Sequence, residues 1–411
     1  MIEWSEAHLM VRDMVRRFVD TEIVPNLEQL EHGDLPPYDV IRKLMQTLGV
    51  TDAARARYES QKKRALSGDT NPKSDSGGSG MDPGDAAAFQ MIPIIELSRY
   101  CPGMVTALGV SMGLTAGAIM SKGTWAQKDR WALPVLTLDK IGAWAITEPG
   151  SGSDAFGSMK AVARKDGDDY LLSGQKTFIT NGPYADTIVF ICKLDRGETD
   201  PRDRQVVSFI LDSGMEGLVQ SKPLRKMGMH SSPTGELFLD NVRCSRDRLM
   251  GESEDAAGGR SGAKATFGAE RAGVVAMAFG IIDRCIELCT EYARTRVQFG
   301  KPIGDFQLIQ LKLAKMQVTK MNLQNMIFRQ IEMAAQGKSA SFTEASASKL
   351  YAAQATMECT LEAVQLFGGN GYMAEYQVEQ LCRDAKVLQI YGGTDEIQIS
   401  QIARNMLAGE N

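Results

Sequence analysis

Histidine is scarce in this chain: His8, His32 and His230 are the only three in 411 residues, and they lie far apart. The seven cysteines (Cys101, Cys192, Cys244, Cys285, Cys289, Cys359 and Cys382) are scattered, odd in number and never spaced as CxxC. A His/Cys metal centre is therefore not expected, and a reduced intracellular compartment is the simple reading. Basic residues do not dominate either, with 46 Lys and Arg against 51 Asp and Glu for a formal charge of −5. That argues against nucleic acid or anionic membrane as the main partner. No apolar run reads as long enough to span a membrane. The opening MIEWSEAHLMVRDMVRRFV mixes acids, bases and apolar residues at helical spacing. It lacks both the apolar centre of a secretion signal and the acid-poor bias of a transit peptide, so a cytoplasmic location is expected.

The remaining composition is that of a globular protein, with 43% hydrophobic and 24% charged residues. Met10, Met14, Phe18 and Val19 fall at helical spacing, as do Val40, Ile41, Leu44 and Leu48. The stretch 67–85, SGDTNPKSDSGGSGMDPGD, has almost no large apolar group to offset its ordering entropy, and reads as a flexible surface insertion. Helical pattern resumes near Ala86 and runs to about Leu138, with breaks expected at Pro93 and Pro102. From Ile141 to about Met250 the chain changes to short β-rich runs between turns, such as TIVFI (187–191), VVSFIL (206–211) and ELFLD (236–240). These predict a small antiparallel β domain. A Gly-rich link at 258–262 leads into helices over about 267–294, 305–336, 343–367 and 394–408. The predicted organisation is a helical N-terminal domain (1–140), a β domain (141–250) and a C-terminal helical bundle (262–411), mainly α with a middle β domain.

Six segments carry candidate chemistry. AWAITEPGSGSD (143–154) ends a β run in a turn of glycines and hydroxyls that suits a phosphate or a flat heterocycle, or is an ordinary Pro-Gly turn. In SGQKTFITNG (173–182), Phe178 and Thr180 alternate onto one face, as for a flat ring, or form a core Phe beside an edge Thr. Glu270, in FGAERAG, lies three residues after Phe267 and four before Val274, on the apolar stripe of its helix. A carboxylate placed there has a raised pKa and the character of a general base. The alternatives are an ion pair with Arg271 or a frayed, solvated helix start. Arg294, Arg296 and Lys301, around TRVQFGKPIGDFQ, complement a helix C-terminus or hold a phosphate. QLFGGNGY (365–372) fails as a dinucleotide fingerprint because no strand precedes it, but permits close backbone approach or a C-cap. YGGTDEIQ (391–398) is a Gly-Gly turn with Thr394 placed to cap the last helix.

In this order, TEPGSGSD, GQKTFITNG, KMGMHSSPTGEL, RTRVQFGKPIGDFQ, QLFGGNGYMAEYQVEQLCRDAK and IYGGTDEIQ closely resemble the acyl-CoA dehydrogenase family over roughly residues 100–408. The resemblance implies a helical N-domain, a β-barrel-like middle domain and a C-terminal four-helix bundle. It also implies bound FAD and a homo-oligomer, either a dimer or a dimer of dimers (a homotetramer). By family position Trp144, Ile146, Thr147 and Ser153 line the flavin, Phe178 and Thr180 pack on its ring, and Thr394 and Glu396 lie near it. Arg296, Phe299, Gln307, Gln365 and Gly369 reach the FAD of a neighbouring subunit, and Ser153 and Arg271 contact substrate.

The family's usual catalytic Glu is replaced here by Gly392. A subset resembling isovaleryl-CoA and long-chain dehydrogenases carries the base on the bundle helix immediately before an Arg, which is Glu270 here. The implied reaction is α,β-dehydrogenation of an acyl-CoA to the trans-2-enoyl-CoA. Glu270 takes the α-proton, the β-hydrogen passes as hydride to flavin N5, and the Gly392 N–H supports the thioester oxyanion with a ribityl hydroxyl. Electrons then leave to an electron-transferring flavoprotein. Two further departures stand out: Gln380 replaces a usual basic residue, and the polar insertion replaces a Gly-rich N-domain segment. An oxygen-using relative, such as an oxidase or monooxygenase, and a non-catalytic subunit of a hetero-oligomer are the rival expectations.

Overall fold

Local signals set up the N-terminal helices. Ser5 caps α1 (Glu6–Phe18), its hydroxyl accepting from the His8 N–H while the His8 imidazole accepts from the Ser5 N–H. A π-type turn at Val19–Ile23 and α2 (Leu27–Glu31) follow. In α3 (Tyr38–Thr47), Tyr38, Ile41, Leu44 and Met45 recur at helical spacing and are buried. This computed structural model describes residues 3–33, 35–67, 81–254 and 259–409, with the backbone alone over 259–270.

Helix α4 (Val50–Ser67) buries only Tyr58. Helix α5 (Pro83–Ser98) begins where Asp82 accepts hydrogen bonds from the N–H groups of Gly84 and Asp85 at 2.8 and 3.3 Å. The last residues of the expected insertion are therefore a helix start, because an Asp-Pro pair supplies both a cap and a pre-set first φ. Residues 68–80 lie outside the described residues. Pro93 sits inside α5 without ending it. Burial of Ile92, Ile95 and Leu97 offsets the lost backbone bond, a case of packing overriding propensity.

After α6 (Pro102–Leu108), a π-type turn at Gly109–Ala116 leads to α7 (Gly117–Lys122), α8 (Trp125–Gln127) and α9 (Leu133–Leu136). Contrary to the expectation from sequence, Pro102–Lys122 is long and apolar enough to pass as a membrane span. Its Met104, Ala107, Ala116 and Ile119 are buried within the protein, which accounts for the apolarity as core.

The middle region is one seven-stranded sheet of β1 (Gly142–Ala145), β2 (Val162–Asp166), β3 (Asp169–Thr180), β4 (Thr187–Asp195), β5 (Val206–Asp212), β6 (Leu218–Gln220) and β7 (Thr234–Cys244). The order is β1-β4-β2-β3-β7-β6, with β5 also on β4. It is mixed rather than antiparallel, since β4 pairs in parallel with both β1 and β2. Strand β4 is buried on both faces, which is why it reads as a continuous apolar run. Ile188, Phe190, Cys192 and Leu194 fill the inside of the curled sheet, while Val189 and Ile191 meet Ile119 and Trp131 of the helical region.

The C-terminal part comprises α10 (Gly259–Thr295), the two-residue strands β8 (Val297–Gln298) and β9 (Lys301–Pro302), α11 (Gln307–Ala335), α12 (Phe342–Phe367), α13 (Gln377–Lys386) and α14 (Asp395–Ala408). The backbone of α10 already starts at Gly259, inside the stretch read as a Gly-rich link. Val275, Ile282 and Cys289 of α10 share one core with Phe18 of α1, Ile95 of α5, Leu323 of α11 and Ala363 of α12. The first helices and the bundle are thus a continuous packing unit that carries the β sheet on its side.

Candidate active site

Two of the predicted segments form one structure. The TEPGSGSD turn is closed by reciprocal Glu148–Ser151 backbone hydrogen bonds of 3.1 and 3.0 Å. The Thr177 N–H donates to the Thr147 carbonyl at 2.9 Å, and the Lys176 ammonium donates to the Ile146 carbonyl and the Glu148 carboxylate, each at 2.9 Å. The end of β3 is thereby fastened to the chain leaving β1. At that junction the β3·β7 register shifts between Lys176 and Ile179, and Phe178 takes a left-handed φ of 57°. The bulge buries Lys176 and Thr177 in succession and leaves Phe178 69% exposed, so simple alternation does not describe this segment. Thr180 is half-buried opposite Thr234, and Ser153 is exposed. Trp144, on β1, is buried, and its indole N–H has no hydrogen-bond partner among the described residues.

A second group gathers at the end of the bundle. Phe299 and Gly300 form the tip of the β8–β9 hairpin, with φ of 52° and 80°, and Phe299 is 94% exposed. Lys301 lies 4.4 Å over the Phe306 ring. Arg296, Gln307, Gln365 and Gly369 are exposed. Tyr292 ties this end together by stacking on Phe367 at 4.0 Å and accepting from the Asn370 side chain at 3.0 Å. Among the described residues, no hydrogen bond joins this group to the β1–β3 junction.

The third group is the Gly392–Gly393 turn, both left-handed at φ 61° and 88°. Thr394 caps α14 by accepting from the Ile397 N–H at 3.3 Å. Glu396 is exposed, and hydrogen bonds at this helix start hold its carboxyl below the usual range. The Gln398 amide donates to the carbonyls of Gly392 and Gly393, both at 3.0 Å, and the buried Lys349 ammonium donates to that of Gly393 at 2.8 Å. Among the described residues the Gly392 N–H has no acceptor. Arg271 is buried, donates to Ser346 Oγ at 3.1 Å and lies 4.2 Å from the Phe342 ring. The Glu270 side chain lies outside the described residues.

Sequence reasoning missed Lys349 and Gln398. A signal for Lys349 did exist: it interrupts the small-residue stripe Ser346, Lys349, Ala353, Thr356, Thr360 and Ala363 of α12, a place where a lysine needs an acceptor. Gln380, at the position usual for a base, donates to the Tyr100 carbonyl at 2.6 Å and to Asp384 at 3.3 Å.

The arrangement is a curled sheet packed on helices, with an exposed aromatic ring, Phe178, where β3 meets the chain leaving β1. Three family descriptions match in order: acyl-CoA dehydrogenase N-terminal domain at residues 5–56 and 70–139, middle domain at 143–242 and C-terminal domain at 257–407. The chain belongs to the acyl-CoA dehydrogenase family. It is 34% identical over 383 residues to the short-chain specific acyl-CoA dehydrogenase of Megasphaera elsdenii, covering 93% of each chain. It is 33% identical to the 3-(aryl)acrylate reductase of Clostridium sporogenes, over 98% of this chain and 99% of that one. It is 32% identical to the caffeyl-CoA reductase-Etf complex subunit CarC of Acetobacterium woodii, again over 98% and 99%. Among solved structures, butyryl-CoA dehydrogenase from Megasphaera elsdenii superposes with a TM-score of 0.84 at 31% identity, over 99% of this chain and 100% of that one. An acyl-CoA dehydrogenase from Bacillus anthracis, complexed with FAD, gives 0.79 at 28% identity, over 99% and 69%.

Proposed function

We propose that this chain is an FAD-dependent acyl-CoA dehydrogenase that converts an acyl-CoA to its trans-2-enoyl-CoA. The observation that carries the reading is the β1–β3 junction, where β1 brings a buried Trp144 indole N–H that has no partner among the described residues and β3 brings an exposed, left-handed Phe178. A flat heteroaromatic ring with acceptor atoms meets both needs, so the residues present fit FAD. Trp144, Ile146, Thr147, Ser153, Phe178 and Thr180 would hold it from the sheet side, and Thr394 and Glu396 from the start of α14. The chemistry that bound FAD supplies is acceptance of the β-hydrogen as hydride.

This chain's own residues do the rest. Glu270, directly before the buried Arg271 on α10, takes the α-proton. The Gly392 N–H, without an acceptor among the described residues, donates to the thioester oxygen as negative charge develops there, a fixed donor that needs no reorganisation. Arg271 and Ser153 contact the substrate. Arg296, Phe299, Gln307, Gln365 and Gly369 are exposed because they serve a second subunit's FAD. Exposed apolar side chains on α11 and α14, among them Leu308, Leu311, Met321, Ile399 and Leu407, support a homo-oligomer. An electron-transferring flavoprotein is the proposed electron acceptor, by analogy with the Etf complex named for the Acetobacterium woodii relative.

The test is anaerobic titration of the yellow protein with straight, branched and aryl acyl-CoAs. Bleaching of the flavin by at least one member is the expected result, and none by any of them overturns the reading. Similarity to two named reductases favours a second reading, in which the physiological direction is reduction of a 2-enoyl or arylacrylyl thioester. Reoxidation of the reduced protein by such a thioester, faster than its reduction by the saturated one, selects it.

A further inference from the structure

We propose that Lys349 and Gln398 are positioning residues that lock the Gly392–Gly393 turn and so aim the Gly392 N–H at the substrate oxygen. This rests on the reading that Gly392 faces the thioester. Both carbonyls of the turn are held by buried donors, Gly392 by the Gln398 amide and Gly393 by the same amide and the Lys349 ammonium. The ammonium is itself anchored by Asp395 Oδ1 at 3.4 Å, and the other Asp395 oxygen accepts from the Gln389 amide at 3.1 Å. Upstream, the Tyr391 N–H is fixed to the Val387 carbonyl at 3.0 Å. The turn is thus restrained on both sides of Gly392.

Left-handed glycines are the most mobile residues available, so a donor carried on them is poorly aimed unless something else restrains it. In a trans peptide the C=O and N–H point in opposite directions. The Gly392 carbonyl shares its peptide with the Gly393 N–H, which is therefore turned away from Gln398; the Gly392 N–H belongs to the preceding peptide, held between the fixed Tyr391 N–H and the fixed Gly392 carbonyl, and neither N–H has an acceptor among the described residues. The fit is close: a Cβ on Gly393 would come 2.7 Å from Gln398 Nε2. Lys349 adds an electrostatic part. A fully buried ammonium costs folding energy unless well paired, and its partners here include the Gly393 carbonyl and the Asp395 carboxylate. Its positive charge behind the turn also favours negative charge developing in front of it.

The experiment uses the holoenzyme with Lys349→Met and Gln398→Glu, the second nearly isosteric and unable to donate. Three quantities are measured: affinity for an S-alkyl-CoA thioether that has no carbonyl, the pH at which bound acetoacetyl-CoA ionises to its enolate, and the flavin-reduction rate at saturating acyl-CoA. Thioether affinity should match the parent, because the turn's N–H has nothing to bind there. Enolate formation should require a pH higher by about one unit, and reduction should slow by about 10–10²-fold, the scale of a misplaced donor. Either variant alone showing this pattern supports the proposal. Parental enolisation and parental reduction in both variants, with Glu270→Gln slow, overturn it and leave the proposed function standing. No flavin reduction by any acyl-CoA in the parent is the separate result that fails the proposed function itself.

Discussion

Lys176 and Glu148 form an ion pair at 2.9 Å with both side chains buried, and in doing so join the TEPGSGSD and GQKTFITNG motifs. The Glu148 carboxylate also accepts from the backbone N–H groups of Lys160 and Ala161, at 2.7 and 2.9 Å. Burial pulls the Lys176 pKa below its usual value despite this partner. Lys176→Met would leave a buried carboxylate without its cation, which costs about 3–5 kcal/mol. We expect a lower melting temperature and lower flavin occupancy together, because the same pair shapes the Ile146–Thr147 edge. Calorimetry and the ratio of flavin to protein absorbance check this; an unchanged melting temperature refutes it.

A second buried cluster predicts a pH dependence. Glu31 of α2 is buried near Asp384 of α13, and its pKa is pushed up to about 8 from 4.5, by burial first and Asp384 second. Asp384, buried and hydrogen-bonded by the Met229 N–H, is shifted in the same direction, again mainly by burial. Around them lie Arg383, His230, with Nδ1 4.0 Å from Glu31 Oε2, the Cys101 thiol, and Lys226, which burial lowers to about 8. A carboxyl with a raised folded pKa stabilises the fold fully below the unfolded value, and that stability is lost as pH rises through the folded value. Denaturant unfolding should therefore show stability falling between about pH 4.5 and 8, by up to about 1.4 kcal/mol per pH unit for one proton. Glu31→Gln should flatten that slope. Lys226 acts oppositely above pH 8, where its release favours the fold. A slope equal in Glu31→Gln and parent would remove Glu31 as its source.

How much of this could be read from the chain depends on range. The strands at 187–191, 206–211 and 236–240 and the helices near 305–336, 343–367 and 394–408 follow from short periodicities. Helix α4 escaped because it buries little beyond Tyr58, whose hydroxyl donates to Asp129 at 2.6 Å, a partner 71 residues away. Parallel pairing of β4 with β1 and β2 is likewise a long-range choice that no local pattern encodes. The turn glycines 392 and 393 were visible as a motif, but the side chains holding them were not. Lys349 is 44 residues upstream of Gly393, and its place in the small-residue stripe of α12 says that it needs an acceptor but not which one.

The hairpin tip at Phe299 gives a prediction about assembly. An aromatic ring at positive φ and 94% exposed is strained and solvated in the single chain, an arrangement that gains from a partner surface. Arg296, also exposed, stands three residues before it, between α10 and β8. Arg296→Glu should lower flavin occupancy and shift the mass seen by light scattering toward smaller species. Unchanged flavin content with unchanged mass would separate this hairpin from both roles.

The last prediction concerns where the base stands. In sequence Glu270 precedes the buried Arg271, three residues from Phe267 and four from Val274, while Gly392 occupies the place of the family's more usual Glu. If both positions approach the same α-carbon, the base is movable. Glu270→Gln keeps the shape and removes only the basic carboxylate, so FAD and acyl-CoA binding should persist while flavin reduction slows by roughly 10²–10⁴-fold. Glu270→Gly combined with Gly392→Glu should restore part of that rate. Full recovery is not expected. Residue 392 has φ 61°, where a side chain costs about 1–2 kcal/mol, and a small misplacement of the carboxylate is expensive in rate. Recovery should be greater for straight acyl chains than for branched ones, since a side chain at 392 crowds the thioester end from a new direction. Stopped-flow anaerobic reduction with matched straight and branched acyl-CoAs measures all of this. A Glu270→Gln protein that reduces its flavin at the parental rate would take Glu270 out of the reaction, and the proton would then need another acceptor on this chain.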